Sequence, residues 1–333
     1  MTLAQRIEAL AQLGSFLSTN DKELNEVLQK IQYQNGWFSV DQTSYCLQSW
    51  ANLLTKEQLI QWTAPYDLPD TASGKKIGLI LAGNIPLVGF HDVIAVLLSG
   101  HTALIKLSSQ DNTLLVFLLA QLSRIAPAFT AQYQISERLN AMDAIIATGS
   151  NNSARYFDYY FGKYPHIIRK NRNAVAVLTG EESAAELALL GEDIFRYYGL
   201  GCRNVAKVYV PRHYNFSALY EAIEPYKTVL DNNKYNNNYD YNRTLLLMNS
   251  TFHFDNRFLM ITENESLASP IATLHYEEYD FLSEAEEKIQ SNADKIQCIV
   301  GGLPGYIPFG KSQQPDLWDY ADGVDTLEFL KGL

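Results

Sequence analysis

The run Tyr-Gly-Leu-Gly-Cys-Arg-Asn-Val, residues 198–205, sets a thiol, Cys202, between a glycine and an arginine. Glycines flanking a thiol permit a tight turn and the close approach of a substrate, and a neighbouring cation raises the thiolate fraction. The competing reading is that a free cysteine is usually a small buried hydrophobe. Cys46, in a helical pattern, and Cys298, in Ile-Gln-Cys-Ile-Val, fit that description better. A second constellation, Gly83-Asn84-Ile85-Pro86, follows an apolar run. An asparagine amide there can serve a developing oxyanion, although Gly, Asn and Pro are also ordinary turn residues. A third, Lys106-Leu-Ser108-Ser109, offers a cation and hydroxyls. A fourth, Gly149-Ser150-Asn151-Asn152, offers helix N-terminal amides. Both could meet a nucleotide, and both could simply cap helices. Neither a Gly-x-Gly-x-x-Gly nor a Gly-x-x-x-x-Gly-Lys-Ser/Thr motif occurs. The six histidines form no His-x-x-x-His pair and no cysteine lies near one at ligand spacing, so no metal is expected.

The elements that must position these residues fall into two patterns. Residues 2 to about 64 read as helices: Leu3, Ile7, Leu10, Leu13 and Leu17 recur at helical spacing, Asn20 and Asp21 can cap a second helix, and a third runs through Tyr45, Leu47, Trp50 and Leu54. Pro65 to Lys76 is a loop or linker. From there strands and helices alternate. Ile77–Ala82, Thr102–Lys106, Ala144–Ala147, His166–Ile168, Ala174–Leu178 and Val205–Val210 are strand candidates, with helices over 86–98, 112–125, 151–161 and 183–198. Short continuous apolar runs are expected of strands buried on both faces of a parallel sheet, and the alternation implies an α/β fold with right-handed crossovers. The Asn/Tyr-rich segment 231–243 reads as an exposed loop.

Composition narrows the class. With 333 residues, 47% hydrophobic and 19% charged, the chain can bury a substantial core and fill about two domains. A net charge of −11 argues against a broad nucleic-acid or membrane-surface footprint. The N-terminus lacks the basic start and apolar run of a signal peptide, no stretch reaches the length of a membrane span, and a cytoplasmic protein is expected.

The order of these pieces — strand-Gly-Asn-x-Pro, strand-Lys-x-Ser, strand-Thr-Gly-Ser, then Gly-x-Gly-Cys before a strand — resembles the aldehyde dehydrogenase superfamily. Within it the chain is most similar to the LuxC-type acyl-CoA reductases, from about Ile77 to the C-terminus. The resemblance implies two Rossmann-like three-layer α/β/α domains with an N-terminal helical segment. Residues 1–178 would form the helices and the dinucleotide-binding domain, and 179–333 the catalytic domain. Cys202 becomes the nucleophile and Asn84 the oxyanion-hole asparagine. Lys106, with Ser108 and Ser109, falls at the adenosine ribose, Gly149-Ser150 at the pyrophosphate, and Phe309-Gly310 at the substrate tunnel. The Ser109 position is commonly acidic in NAD-preferring enzymes; its hydroxyl here implies NADPH, with NADH as the alternative. Ser266-Leu-Ala-Ser-Pro270 replaces the usual Glu-x-Phe-Gly-Pro, so the ribose-binding glutamate is missing.

One departure directs the chemistry. Where oxidising aldehyde dehydrogenases carry a glutamate in Leu-Glu-Leu-Gly-Gly, this chain reads Ile168-Arg169-Lys170-Asn171-Arg172. That glutamate activates the hydrolytic water, and without such a base water attack on an acyl-enzyme is slow. The expectation is therefore reduction of an acyl-CoA or other acyl thioester to an aldehyde, with Arg169, Lys170 and Arg172 as candidates for CoA phosphates. The alternatives are a non-CoA aldehyde or semialdehyde dehydrogenase, acyl transfer without redox, and a non-catalytic nucleotide-binding or complex-forming protein. No nucleic-acid partner is expected, and a homodimer is allowed for.

Overall fold

The structure, a computed structural model, describes residues 1–71 and 74–333, with only the backbone of Asn151. Residues 72 and 73 of the expected linker lie outside this description. The chain forms two compact units, Met1–Asn171 with Asp316–Leu333, and Arg172–Pro315. The expected boundary at 178/179 falls seven residues late, because the strand Asn173–Val177 pairs within the second sheet. The last segment also returns to the first unit rather than completing the second.

The first unit opens with helices α1 (Leu3–Leu17), α2 (Lys22–Gln34), α3 (Val40–Leu53) and α4 (Lys56–Thr63). Each starts at a side-chain cap, from Thr2, Asp21, Ser39 and Thr55 respectively, which satisfies an amide that the helix itself leaves unpaired. Then come β1 (Lys76–Ile80), α5 (Phe90–Leu98), β2 (Thr102–Lys106), α6 (Leu114–Ile125), β3 (Tyr133–Ile135), β4 (Ala144–Thr148), α7 (Asn151–Phe161) and β5 (His166–Arg169). The strands form a parallel sheet ordered β3-β2-β1-β4-β5. The chain builds outward from β1 to β3, then returns to the other side of β1 at β4. That reversal makes a topological switch point at the carboxyl ends of β1 and β4, where open α/β sheets hold ligands.

The second unit contains β6 (Asn173–Val177), α8 (Ala184–Phe195), β7 (Val205–Pro211), α9 (Ser217–Ile223), α10 (Asn233–Met248), β8 (Phe254–Asp255), β9 (Met260–Glu263), β10 (Thr273–Tyr279), α11 (Leu282–Ser291) and β11 (Ile296–Val300). Its sheet is ordered β11-β6-β7-β10-β9-β8 and is parallel except for the β8–β9 pair. Val175, Val177, Tyr209, Tyr279, Ala285 and Ile289 pack α11 against it. The final helix, α12 (Thr326–Lys331), belongs to the first unit.

Segment 231–243 is not a loop but most of α10. Its inward face is Tyr235, Tyr239 and Asn242, spaced four and three apart, and Asn232 caps its start. The Tyr235 hydroxyl donates to the Phe258 carbonyl (2.9 Å) and the Asn242 amide to that of Ile271 (3.0 Å), so polar side chains do here what leucines do elsewhere.

Candidate active site

Cys202 is exposed, whereas Cys46 is buried and Cys298 half-buried. Its turn is set by the chain just before it. Helix α8 ends at Phe195, and Tyr197 (φ 52°), Tyr198 (φ 57°) and Gly199 (φ 78°) then adopt left-handed backbone in succession. Left-handed geometry costs about 1–2 kcal/mol for each non-glycine residue, and both tyrosines are buried, which holds them there. Such a cost, retained here beside an exposed thiol, is met most often at active sites, ligand clamps and switch regions.

The brace that holds this turn is Asn204, 2% exposed. Its Oδ1 accepts from the Gly201 amide (2.7 Å), and its Nδ2 donates to the carbonyls of Arg196 (2.7 Å), Asp193 (3.1 Å) and Ile194 (3.3 Å). One side chain thus terminates α8 and fixes the residue before the thiol. Arg203 Nε donates to the Ser312 carbonyl (2.6 Å), so this cation is anchored to the C-terminal loop of the same unit. Asp193, with no exposure at all, accepts from the amides of Gly310 (2.6 Å) and Ser312 (2.9 Å). Burial pushes its carboxyl up from the ordinary range, opposed by those amides. Through Asp193 and Arg203 the second unit joins the Cys202 turn to Phe309-Gly310. Phe309 is buried, and Gly310 sits at φ 78°, where a Cβ would come within 3.0 Å of Leu189. Asn204 and Asp193 were not singled out from the sequence, although an acid pair inside the otherwise apolar run Leu-Ala-Leu-Leu-Gly-Glu-Asp-Ile-Phe is a visible signal.

A cavity of about 30 Å³ lies behind the turn, lined by Tyr198, Gly199, Val205, Pro270 and Ala272 among others. That space suits a water or two rather than an acyl chain. The segment 266–270 beside it is held by backbone contacts. His275 Nδ1 meets the Ser266 carbonyl (2.9 Å), and the buried Lys207 ammonium donates to the Glu265 carbonyl (2.7 Å) and to Glu277.

In the first unit three expected elements share the carboxyl edge of the sheet. Asn84 is exposed on the loop after β1; Lys106 and Ser109 are exposed after β2, with Ser108 half-buried; Gly149 and the exposed Ser150 follow β4. The Asn84 and Gly149-Ser150 loops therefore flank the switch point. Ser150 is the N-cap of α7, its hydroxyl accepting from the Ser153 amide (3.2 Å), so the capping role holds. Gly149 is required by packing: a Cβ would lie 2.8 Å from Ser153 and 2.9 Å from the Phe157 ring. A Cβ on Gly83 would strike the Ser108 hydroxyl at 2.4 Å, so the loops after β1 and β2 touch backbone to side chain. Both glycine spaces are filled by the protein's own side chains, which leaves the exposed Lys106 and Ser109 and the start of α7 at the switch point as the groups that could hold a dinucleotide.

Arg169 does not fit the phosphate expectation. It is 4% exposed and pairs with Asp92 (2.8 Å), Thr326 Oγ1 (2.9 Å) and the Ala321 carbonyl (2.6 Å), tying α12 to α5 and β5. A charge buried this way is satisfied internally. Arg172 is half-buried near the Ile296 carbonyl (3.3 Å), and Lys170 is exposed. Among the described residues no group of three or more His, Cys, Asp or Glu is placed to hold a metal, and no helix is long and apolar enough to cross a membrane.

Comparison with known proteins agrees with this layout. No curated protein matches the sequence. Aldehyde dehydrogenase 21 from Physcomitrella patens, solved with its product succinate, is 11% identical and has a TM-score of 0.68, covering 100% of this chain and 84% of its own. A mutant of aldehyde dehydrogenase C from Pseudomonas syringae, solved with NAD+ and octanal, is 13% identical with a TM-score of 0.63, covering 91% and 73%. The NAD+ complex of an aldehyde dehydrogenase from Bacillus cereus is 14% identical with a TM-score of 0.62, covering 90% and 72%. At these identities the likeness establishes the fold. The sequence model of the family described as acyl-CoA reductase (LuxC) matches residues 71–214, a span that holds Asn84, Lys106, Gly149, Ser150 and Cys202. Residues 71–214 thus match the acyl-CoA reductase (LuxC) family, and the chain carries an aldehyde dehydrogenase-like α/β fold.

Proposed function

We propose that this chain reduces an acyl-CoA, or another acyl thioester, to the aldehyde through an acyl group carried on Cys202. The observation that carries the reading is the exposed thiol on a turn braced by Asn204, inside the span that matches acyl-CoA reductases. The Cys202 thiolate attacks the thioester carbonyl; the Asn84 amide and the Cys202 backbone amide donate to the oxyanion, each contact worth about 3 kcal/mol. Collapse expels the CoA thiolate, leaving a covalent thioester on the protein. A reduced nicotinamide, when bound, supplies the hydride for this thioester. Lys106, Ser108 and Ser109 hold the adenosine end and the α7 N-terminus that follows Gly149-Ser150 the pyrophosphate, with NADPH preferred because Ser109 places no anion beside a 2′-phosphate. Cys202 departs as thiolate when the aldehyde forms. Phe309-Gly310 forms part of the acyl wall, held to the Cys202 turn by Asp193.

The missing water-activating glutamate, replaced by the buried Arg169, supports thioester chemistry over hydrolysis. Incubation with NADPH and acyl-CoAs of graded length, followed at the cofactor absorbance with aldehyde detection, tests the proposal. Aldehyde formed in step with NADPH loss is expected; oxidation of free aldehydes to acids without CoA, and no reduction, would replace it with the dehydrogenase reading.

A further inference from the structure

The loop that presents Asn84 is held by a buried acid that the proposed chemistry does not use. Asp111, 9% exposed, lies on the loop between β2 and α6. Its Oδ2 accepts from the Leu87 amide (2.9 Å), while its Oδ1 has no hydrogen-bond partner. Leu87 is itself left-handed (φ 57°) and 3% exposed. A branched residue does not hold that geometry unless its surroundings impose it. Two further contacts immobilise the same stretch: Gly83 abuts the Ser108 side chain and the Asp111 amide, and the Cys46 thiol donates to the Pro86 carbonyl (3.3 Å). Asp111's own loop is anchored from α2, where Asn35 Nδ2 donates to the Gln110 carbonyl (3.3 Å) and Gln34 Oε1 accepts from Thr113 (2.7 Å).

We propose that Asp111 is the positioning residue for Asn84, holding the 83–87 loop in its strained form through the Leu87 amide. A buried carboxyl with one oxygen unpaired is costly, and the oxygen that is paired goes to the residue whose backbone needs imposing. If Leu87 were released it would relax toward negative φ, and the turn would swing Asn84, three residues earlier, away from its set direction. Pro86, with its own φ locked, passes that rotation on. Asp111 touches neither substrate nor cofactor in this account; it acts through the loop. The inference rests on the reading of Asn84 as an oxyanion donor.

The test compares Asp111→Ala, Asp111→Asn, Asn84→Ala and the Asp111→Ala/Asn84→Ala double variant of the full chain. It measures single-turnover acylation of Cys202 by quenched mass spectrometry, KM for the acyl-CoA and NADPH affinity. Asp111→Ala is expected to slow acylation by at least about tenfold, approaching the ~100-fold loss of a whole oxyanion donor. KM and NADPH affinity should stay within about twofold, the pattern of a lost transition-state contact. Asp111→Asn, whose one amide oxygen can take the place of Oδ2 and accept from Leu87, is expected within about threefold of wild type, and Asp111→Ala adds nothing further once Asn84 is gone. Additive losses in the double variant, or equal slowing with weakened NADPH binding, would overturn the positioning role. Acylation at the wild-type rate by Asn84→Ala would instead remove the oxyanion reading itself. Should Asp111→Ala not fold, Asp111→Glu, which displaces the same oxygens by one methylene, takes its place with the same expected and contrary results.

Discussion

Replacing Asn204 by alanine isolates the brace behind the thiol. Truncation removes the acceptor for the Gly201 amide and the donor shared by the Asp193, Ile194 and Arg196 carbonyls, all around a side chain 2% exposed. Those carbonyls belong to the end of α8, which leaves its last acceptors without intrahelical partners. Water cannot readily replace an amide in so closed a site. At about 1 kcal/mol net for each of the four hydrogen bonds, the expected loss is about 4 kcal/mol. In a chain this large that corresponds to a fall in Tm of roughly 6 °C. Urea unfolding followed by circular dichroism measures it, and the rate of Cys202 alkylation by iodoacetamide, scored by mass spectrometry under native conditions, reports the freed turn. Asn204→Asp keeps the acceptor but sets an anion against three carbonyls, so its loss should be at least as large. Stability within about 1 kcal/mol of wild type for both variants, with unchanged alkylation, would refute the brace.

Three further outcomes are expected. Arg169→Met leaves Asp92 charged and buried and should cost about 3–5 kcal/mol in denaturant unfolding; the folded variant should keep its KM for acyl-CoA, whereas a large rise in KM would return Arg169 to the CoA phosphates. Burial lifts the Asp111 carboxyl from its ordinary 3.8 to about 6, opposed by the Leu87 amide. The folded state therefore binds the proton more tightly than the unfolded one, so this group's contribution to stability is full below about pH 4 and is lost as pH rises through about 6, a change of about 3 kcal/mol. Unfolding titrations from pH 4 to 7 should show that decline in wild type relative to Asp111→Asn, and parallel curves would contradict it. Ser109→Glu should shift cofactor preference from NADPH toward NADH through repulsion of the 2′-phosphate, read from kcat/KM for the two cofactors; an unchanged ratio would place Ser109 away from the ribose.

Strands β1, β2, β4 and β5 of the first sheet were legible as short apolar runs, whereas the edge strand β3, Tyr-Gln-Ile with two exposed residues, was not. Lys76–Ile80 and Thr102–Lys106 pair as parallel neighbours in register, as strands buried on both faces do. The helices before it announced themselves through caps and leucine spacing. Helix α10 did not, because Asn-rich sequence favours turns; its Tyr235, Tyr239 and Asn242 face becomes informative only when polar side chains count as core. The order of site motifs was readable along the chain, and the groups that support them were not. Arg169 stood as a candidate for CoA phosphates because its partner Asp92 lies 77 residues earlier. Asn204 and Asp111 are short polar residues in apparent loops, and their roles depend on a helix end and a left-handed leucine brought to them by folding. Motif residues are visible locally, whereas Asp111 and Arg169 take partners 24 and 77 residues away and Asn204 depends on where the helix before it ends.

The most direct test of the central claim is the intact-protein mass after incubation with an acyl-CoA in the absence of reduced cofactor. The account predicts an increment equal to the acyl group on Cys202, absent from Cys202→Ala, and discharged as aldehyde when NADPH is added. No adduct on the wild-type protein, or an undiminished adduct on Cys202→Ala, would contradict it.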